Sequence, residues 1–151
     1  MKNFMLLLVL AFGSFASSAN SNILDEETYC LAQNMFFEAR SESLEGQLMV
    51  ASVTINRANH KEFPNTICEV VWQDKQFSWT HDGKSDNPSK MGGIDKIQWF
   101  TILQIAQLIA NEPNHLLPKT DALYYHATYS KPVWRHKLTY LKTIGKHKFY
   151  K

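Results

Sequence analysis

The sequence predicts an α+β domain, mainly helical, with a small antiparallel β element near its C-terminus. Two observations carry this. Three segments, at about 25–37, 43–58 and 94–111, repeat apolar residues at helical spacing over helical lengths. After residue 122 the chain changes to short runs rich in aromatic and β-branched residues, punctuated by Gly145.

Taken in order, residues 1–19 read as a secretory signal peptide. Lys2 gives a positive start, Phe4 to Phe12 form a short apolar run, and Ser17-Ser18-Ala19 offers small residues for cleavage after Ala19. A stable membrane anchor is not expected, because a spanning helix needs roughly 20 apolar residues. The remainder, 20–151, is one domain's worth of chain.

In the first helical segment Leu31, Ala32, Met35 and Phe36 share one spacing, and Glu26 and Glu27 suit its first turn. Ser41-Glu42-Ser43 interrupts it, and Ser43 is placed to cap a second helix running to Ala58. Residues 66–72 fit a short helix or a strand equally well. Residues 72–93, rich in Asp, Gly, Ser, Asn and Pro, read as loop. A third long helix at 94–111 carries Ile94, Ile97, Thr101, Ile102, Ile105, Leu108 and Ile109, a stripe expected to face the core. Short strands are expected at 122–126 and 140–144, with Gly145 turning the chain into 147–150.

Hydrophobic content of 44% and charged content of 20% are ordinary for a folded domain. A formal net charge of +2 suits an anionic polymer without requiring one. The basic residues are scattered, with a mild cluster at 131–151 and no motif that organises it, so no nucleic-acid partner is expected. Cys30 and Cys68 are an even count in an exported chain and read as one disulfide. Two free thiols or a metal pair compete with that reading, but no further ligands flank either cysteine. No cofactor and no metal is expected, and nothing sets the oligomeric state.

Glu38 is the candidate catalytic residue. It follows Met35-Phe36-Phe37 at the end of an apolar helical segment. A carboxyl group against aromatic rings loses hydration, which raises its pKa and lets it act as a general acid. The bland alternative is a surface Glu paired with Arg40. The spacing of Glu38 and Glu45, seven residues, corresponds to roughly 10 Å along an unbroken helix. A retaining glycosidase wants its carboxyls about 5–5.5 Å apart and an inverting one about 6.5–9.5 Å. This leans against a retaining pair; Asp74 and Asp82 are other potential partners.

The blocks Phe37-Glu38-Ala39-Arg40, Glu45-Gly46-Gln47, Asn56-Arg57, Phe63-Pro64-Asn65-Thr66, Gln76-Phe77-Ser78-Trp79, Ala122-Leu123-Tyr124-Tyr125-His126, Pro132-Val133-Trp134 and Ile144-Gly145-Lys146-His147 occur in this order. The set resembles the SleB-type cell wall hydrolases, which include spore-cortex-lytic enzymes, over nearly all of the chain after residue 19. The resemblance implies a lysozyme-like fold and cleavage of peptidoglycan glycan strands between N-acetylmuramic acid and N-acetylglucosamine, in the periplasm or outside the cell. It implies Glu38 as general acid, often in lytic transglycosylase chemistry, where the same Glu then removes the proton of the muramic C6 hydroxyl. Muramidase chemistry stays open. Gln76, Phe77, Ser78, Tyr125 and His126 are candidates for the sugar groove, since saccharides want both amide or hydroxyl partners and aromatic walls. Glu45 reads equally as functional or structural. Trp79 is equally a core or groove residue, and Tyr124 and Tyr125 would face opposite ways on a strand. Arg57, Trp134 and His147 read as structural. The rivals are a zinc amidase drawing on His126, His136 and His147, without any tight ligand motif, and a non-catalytic wall-binding module.

Overall fold

The computed structural model describes residues 25–151, so the expected signal segment 1–19 lies outside the described residues. Five helices and three strands follow in order: α1 (Glu26–Ala39), α2 (Leu44–Ala58), α3 (Ile67–Val71), α4 (Gly93–Asn111), α5 (Pro113–Leu116), β1 (Tyr124–Ala127), β2 (Tyr140–Ile144) and β3 (His147–Tyr150).

α1 starts where the Asp25 side chain accepts a hydrogen bond from Thr28 N at 2.8 Å, satisfying a donor that the first helical turn leaves free. It packs against α2, α3 and α4 and is therefore the central helix. Leu31, Met35 and Phe36 meet Trp99, Ile102, Ala106 and Ile109 of α4. The buried stripe of α4 differs from the expected one: Ile94, Ile97 and Leu108 are exposed, and Trp99 and Ala106 replace them inside. The helix is apolar almost all round, so spacing alone did not choose its inner face. Trp99 fixes it by edge-on ring contacts with Tyr29 at 5.4 Å and Phe36 at 5.9 Å.

Ser43 caps α2 through Gly46 N at 3.3 Å. Met49, Val50 and Val53 on α2 pack against Ala122, Ile144 and Phe149, so this helix is the support on which the sheet rests. Residues 67–71 are helical because Thr66 caps Glu69 N at 3.1 Å and the Glu27 carboxylate accepts from Ile67 N. Half of that signal comes from a residue forty positions away. The Cys30–Cys68 disulfide, joining positions 38 apart in sequence, ties α3 to α1.

The sheet has the order β1-β3-β2 and is antiparallel throughout, with Tyr125 opposite Phe149 and His126 opposite Lys148. β2 and β3 are joined by a tight turn in which Gly145 takes φ +52. The Glu42 carboxylate accepts from Lys146 N at 3.0 Å, clamping this turn to the break between α1 and α2. A Cβ at position 145 would collide with that carboxylate. Gly145→Ala is expected to cost about 1–2 kcal/mol, from the left-handed backbone and the displaced hydrogen bond. A denaturant midpoint equal to that of the wild type would contradict this.

Candidate active site

Glu38 lies in the last turn of α1, one helical turn beyond Asn34 on the same face. This face looks toward β1, which α2 and β3 hold in place. There the Tyr125 hydroxyl donates to Glu38 Oε2 at 3.1 Å. The Tyr125 ring is itself fixed, with the ring of His147 edge-on at 5.3 Å and that of Phe149 at 5.7 Å. Below it, Asn34 is fully buried; its Nδ2 donates to Thr54 Oγ1 at 2.9 Å, and its Oδ1 accepts from Trp79 Nε1 at 3.4 Å. The platform beneath the carboxyl is therefore polar, satisfied and rigid.

Burial raises the Glu38 pKa above the usual carboxylate range, and the Tyr125 hydrogen bond and the Arg57 charge pull it partly back. A carboxylate in the last turn of a helix also meets the negative end of the helix dipole, which again favours the proton. Burial and the neighbouring Glu38 charge push the Tyr125 hydroxyl well above its usual value, so it remains a donor. Arg40, the alternative partner for Glu38, pairs instead with Asp95 at 3.2 Å.

Glu38 opens into a cleft of about 670 Å³. Its walls come from α1, the end of α2, the 75–81 loop, β1, the loop after β1, and β3. Glu38 is the one acidic residue among the described residues that line it. Glu45, Asp74 and Asp82 do not line it. Glu45 is 65% exposed and pairs with Lys142 at 3.8 Å, so the structure separates it from the other candidate groove residues.

Gln76, Phe77, Ser78, Tyr125 and His126 all line the cleft. Phe77 is a buried part of the wall, whereas Ser78 is exposed within it. His126 is largely committed to the fold: Nδ1 faces the Ala127 carbonyl at 2.8 Å, and Nε2 the Tyr150 hydroxyl at 3.0 Å. Trp79 is core, stacked on Phe37 at 4.5 Å and outside the lining. Tyr124 faces away from Glu38, toward Phe63 and Trp134.

Three residues read as structural from the sequence prove to line the cleft: Arg57, Trp134 and His147. Lys75, His81 and Tyr129 also line it, and Asn34 lies beneath it, none of them singled out by the sequence. Asn34 did leave a signal: with Gln33 it forms a pair of amides inside an apolar helical segment, and it stands four positions before Glu38. Tyr129, 85% exposed at the cleft edge, left none. Among the described residues no group of three or more His, Cys, Asp or Glu is placed to hold a metal ion, so His126, His136 and His147 do not form a ligand set. No helix among them is long and apolar enough to cross a membrane.

Comparison with known proteins gives a consistent picture. A family profile described as Cell Wall Hydrolase matches residues 41–150, beginning just after Glu38. The chain is 30% identical over 125 residues to a spore cortex-lytic enzyme of Bacillus subtilis, covering 79% of this chain and 35% of that protein. It is 29% identical over 126 residues to the spore cortex-lytic enzyme of Oceanobacillus iheyensis, covering 80% and 40%. The chain thus spans well under half the length of these curated relatives. Among solved structures it resembles the catalytic domain of the germination-specific lytic transglycosylase SleB from Bacillus anthracis. That likeness has a TM-score of 0.63 and 26% identity, over 86% of this chain and 98% of that one. It also resembles the catalytic domain of the Bacillus cereus SleB protein, with a TM-score of 0.57 and 27% identity over 86% and 94%.

Proposed function

We propose, from the premise that this chain belongs to the cell wall hydrolase family, that it cleaves peptidoglycan glycan strands as a lytic transglycosylase with Glu38 as both acid and base. The bond broken is the one between N-acetylmuramic acid and N-acetylglucosamine. The observation that carries the reading is a cleft in which the one carboxyl group among the described lining residues is partly buried, with its pKa raised by that burial.

The chemistry needs no second carboxylate. Glu38 gives its proton to the bridging oxygen as the bond to muramic C1 breaks, and the N-acetylglucosamine side leaves as an alcohol. Positive charge develops at C1. The Glu38 carboxylate then takes the proton of the muramic C6 hydroxyl while that oxygen bonds to C1. The product is a 1,6-anhydro ring, Glu38 is again protonated, and no water is consumed. Gln76 and Ser78 supply polar contacts on one wall, and Tyr129 and Trp134 supply aromatic faces for sugar rings on another. Glu45 has no part in this scheme. A wall polymer as substrate fits export directed by residues 1–19.

Mass spectrometry of peptidoglycan digested by the purified chain tests the reading. A 1,6-anhydro muramic end supports it. A reducing muramic end means muramidase, a freed peptide stem means amidase, and binding without release means a wall-binding module.

The Tyr125 hydroxyl donates to the ionised form of Glu38, so removing it raises the Glu38 pKa further. Because the free enzyme must start with Glu38 protonated, kcat/KM falls as pH rises through that pKa. In Tyr125→Phe this fall moves to higher pH, and the maximum rate drops about tenfold, in line with losing a hydrogen bond to a charged group. An unshifted alkaline limb would contradict the assigned contact.

A further inference from the structure

Arg57 is an expensive residue to place where it is. It is 3% exposed, in the last turn of α2, and it lines the same cleft as Glu38. Its Nε donates to the Leu123 carbonyl at 2.6 Å. With the Gln76 amide oxygen turned toward it, Nη1 and Nη2 donate to that oxygen at 2.6 and 3.3 Å. Its guanidinium carbon lies 5.2 Å from the Phe63 ring centre, 5.5 Å from Tyr124 and 5.7 Å from Phe77. Two neutral oxygens and three aromatic faces hold the cation, yet none of them neutralises it. A buried charge without a counter-ion is costly. Among the described ion pairs, none joins Arg57 to Glu38.

We propose that Arg57 is a positioning residue for Glu38, a fixed cation in the cleft wall that stabilises the carboxylate left when its proton has gone to the sugar oxygen. This rests on the acid-then-base reading of the site. A carboxyl that burial alone governed would be a strong base for the C6 proton but would give up its own proton reluctantly. A direct ion pair would do the opposite and lock it ionised. A cation held nearby by other partners meets both demands, and it acts through space in a site where the field is poorly screened. The charge of Arg57 does draw the Glu38 pKa down against its burial. The other titratable groups around the cleft are Tyr125 and His126 from β1, Tyr129 from the loop after it, His147 from β3, and Lys75 and His81 from the opposite loop. Burial holds His147 below its usual range, which lessens its weight as a cation, and Tyr125 is neutral.

The test follows the Glu38 carboxyl directly, by carbon-13 NMR of the glutamate-labelled chain across pH, alongside kcat and kcat/KM on purified peptidoglycan. Three variants and a control are used. Arg57→Gln removes the charge, Arg57→Lys keeps it without the planar fork, and Gln76→Glu sets an anion against the guanidinium without touching Arg57. The Glu38 midpoint and the alkaline limb of kcat/KM are expected to move to higher pH in Arg57→Gln and Gln76→Glu, and to stay near wild type in Arg57→Lys. The loss in kcat for Arg57→Gln is expected to be on the order of 10²-fold, as for removal of a preorganised stabilising group. A purely structural role would lower the folded fraction without moving the midpoint of what remains folded. A carboxylate at 76 also repels Glu38 directly across the shared cleft, so Ser78→Glu, which adds the same charge to that wall without facing the guanidinium, is the control. If Arg57→Gln does not fold, a larger shift in Gln76→Glu than in Ser78→Glu supports the proposal and equal shifts overturn it. A midpoint unmoved in the folded charge-cancelling variants overturns the proposal even if the wild type cleaves glycan. A moved midpoint with no glycan cleavage by the wild type supports the placement of Arg57 and overturns the acid-then-base reading.

Discussion

Glu38→Gln is expected to lower glycan cleavage on the order of 10³-fold or more, because in the proposed mechanism one side chain supplies both the acid and the base. The amide fills the same space but has no proton to give at the bridging oxygen and no charge to accept one from C6. Folding should survive. The Glu38 pKa is raised in the folded state, so its contribution to stability is fully present below the unfolded pKa and is lost as pH rises through the folded one. Above that range the ionised carboxyl is a burden that Gln removes. The variant should therefore melt at or above the wild-type temperature at neutral pH, and the difference should vanish in acid. Calorimetry at two pH values checks the stability half, and release of soluble muropeptides checks the activity half. A folded Glu38→Gln chain that still cleaved glycan would remove Glu38 from the mechanism.

The second large effect is expected from opening the Cys30–Cys68 bridge. Closing a loop of 38 positions restricts the unfolded chain by about 4 kcal/mol on the chain-entropy account. For a domain of this size that is roughly 10–15 °C in melting temperature. Cys30→Ser with Cys68→Ser, or the reduced wild type, should show it. The loss should also reach the site. Cys30 packs with Val71, Phe77 and Trp79 beneath the cleft wall, so loosening α3 from α1 frees the segment that carries Gln76 and Ser78. Activity is expected to fall at temperatures where the variant is still folded. Equal melting of the oxidised and reduced forms would contradict this.

Much of the fold was legible because local signals agreed with tertiary ones. Ser43 caps α2 as expected, the strands at 140–144 and 147–150 lie where the short aromatic and β-branched runs and Gly145 place them, and the chain is helical on both sides of the Ser41-Glu42-Ser43 break. What local signals left open was settled by long-range partners. Residues 67–71 are helical with the help of Glu27, and α4 turns Trp99 inward because rings on α1 are there to meet it. The site divides in the same way. A carboxyl beside aromatic residues has chemical meaning in sequence, but it is the resemblance of the ordered blocks that singles out Glu38 as the proposed acid. Arg57 was missed because a cation at the end of a helix already has a sufficient local explanation in the helix dipole. Only the approach of the 75–77 loop and of β1 makes it part of a cleft. Block membership alone makes Glu45 a candidate, whereas its partner is Lys142 on β2, away from the groove.

The central claim is that one carboxyl group completes the reaction without water, and digestion in water enriched in heavy oxygen tests it most directly. Intramolecular attack by the C6 hydroxyl predicts muropeptides with 1,6-anhydro ends and no heavy oxygen at muramic C1. Reducing ends carrying the label would show that water is the nucleophile, and the account of Glu38 acting alone would be contradicted.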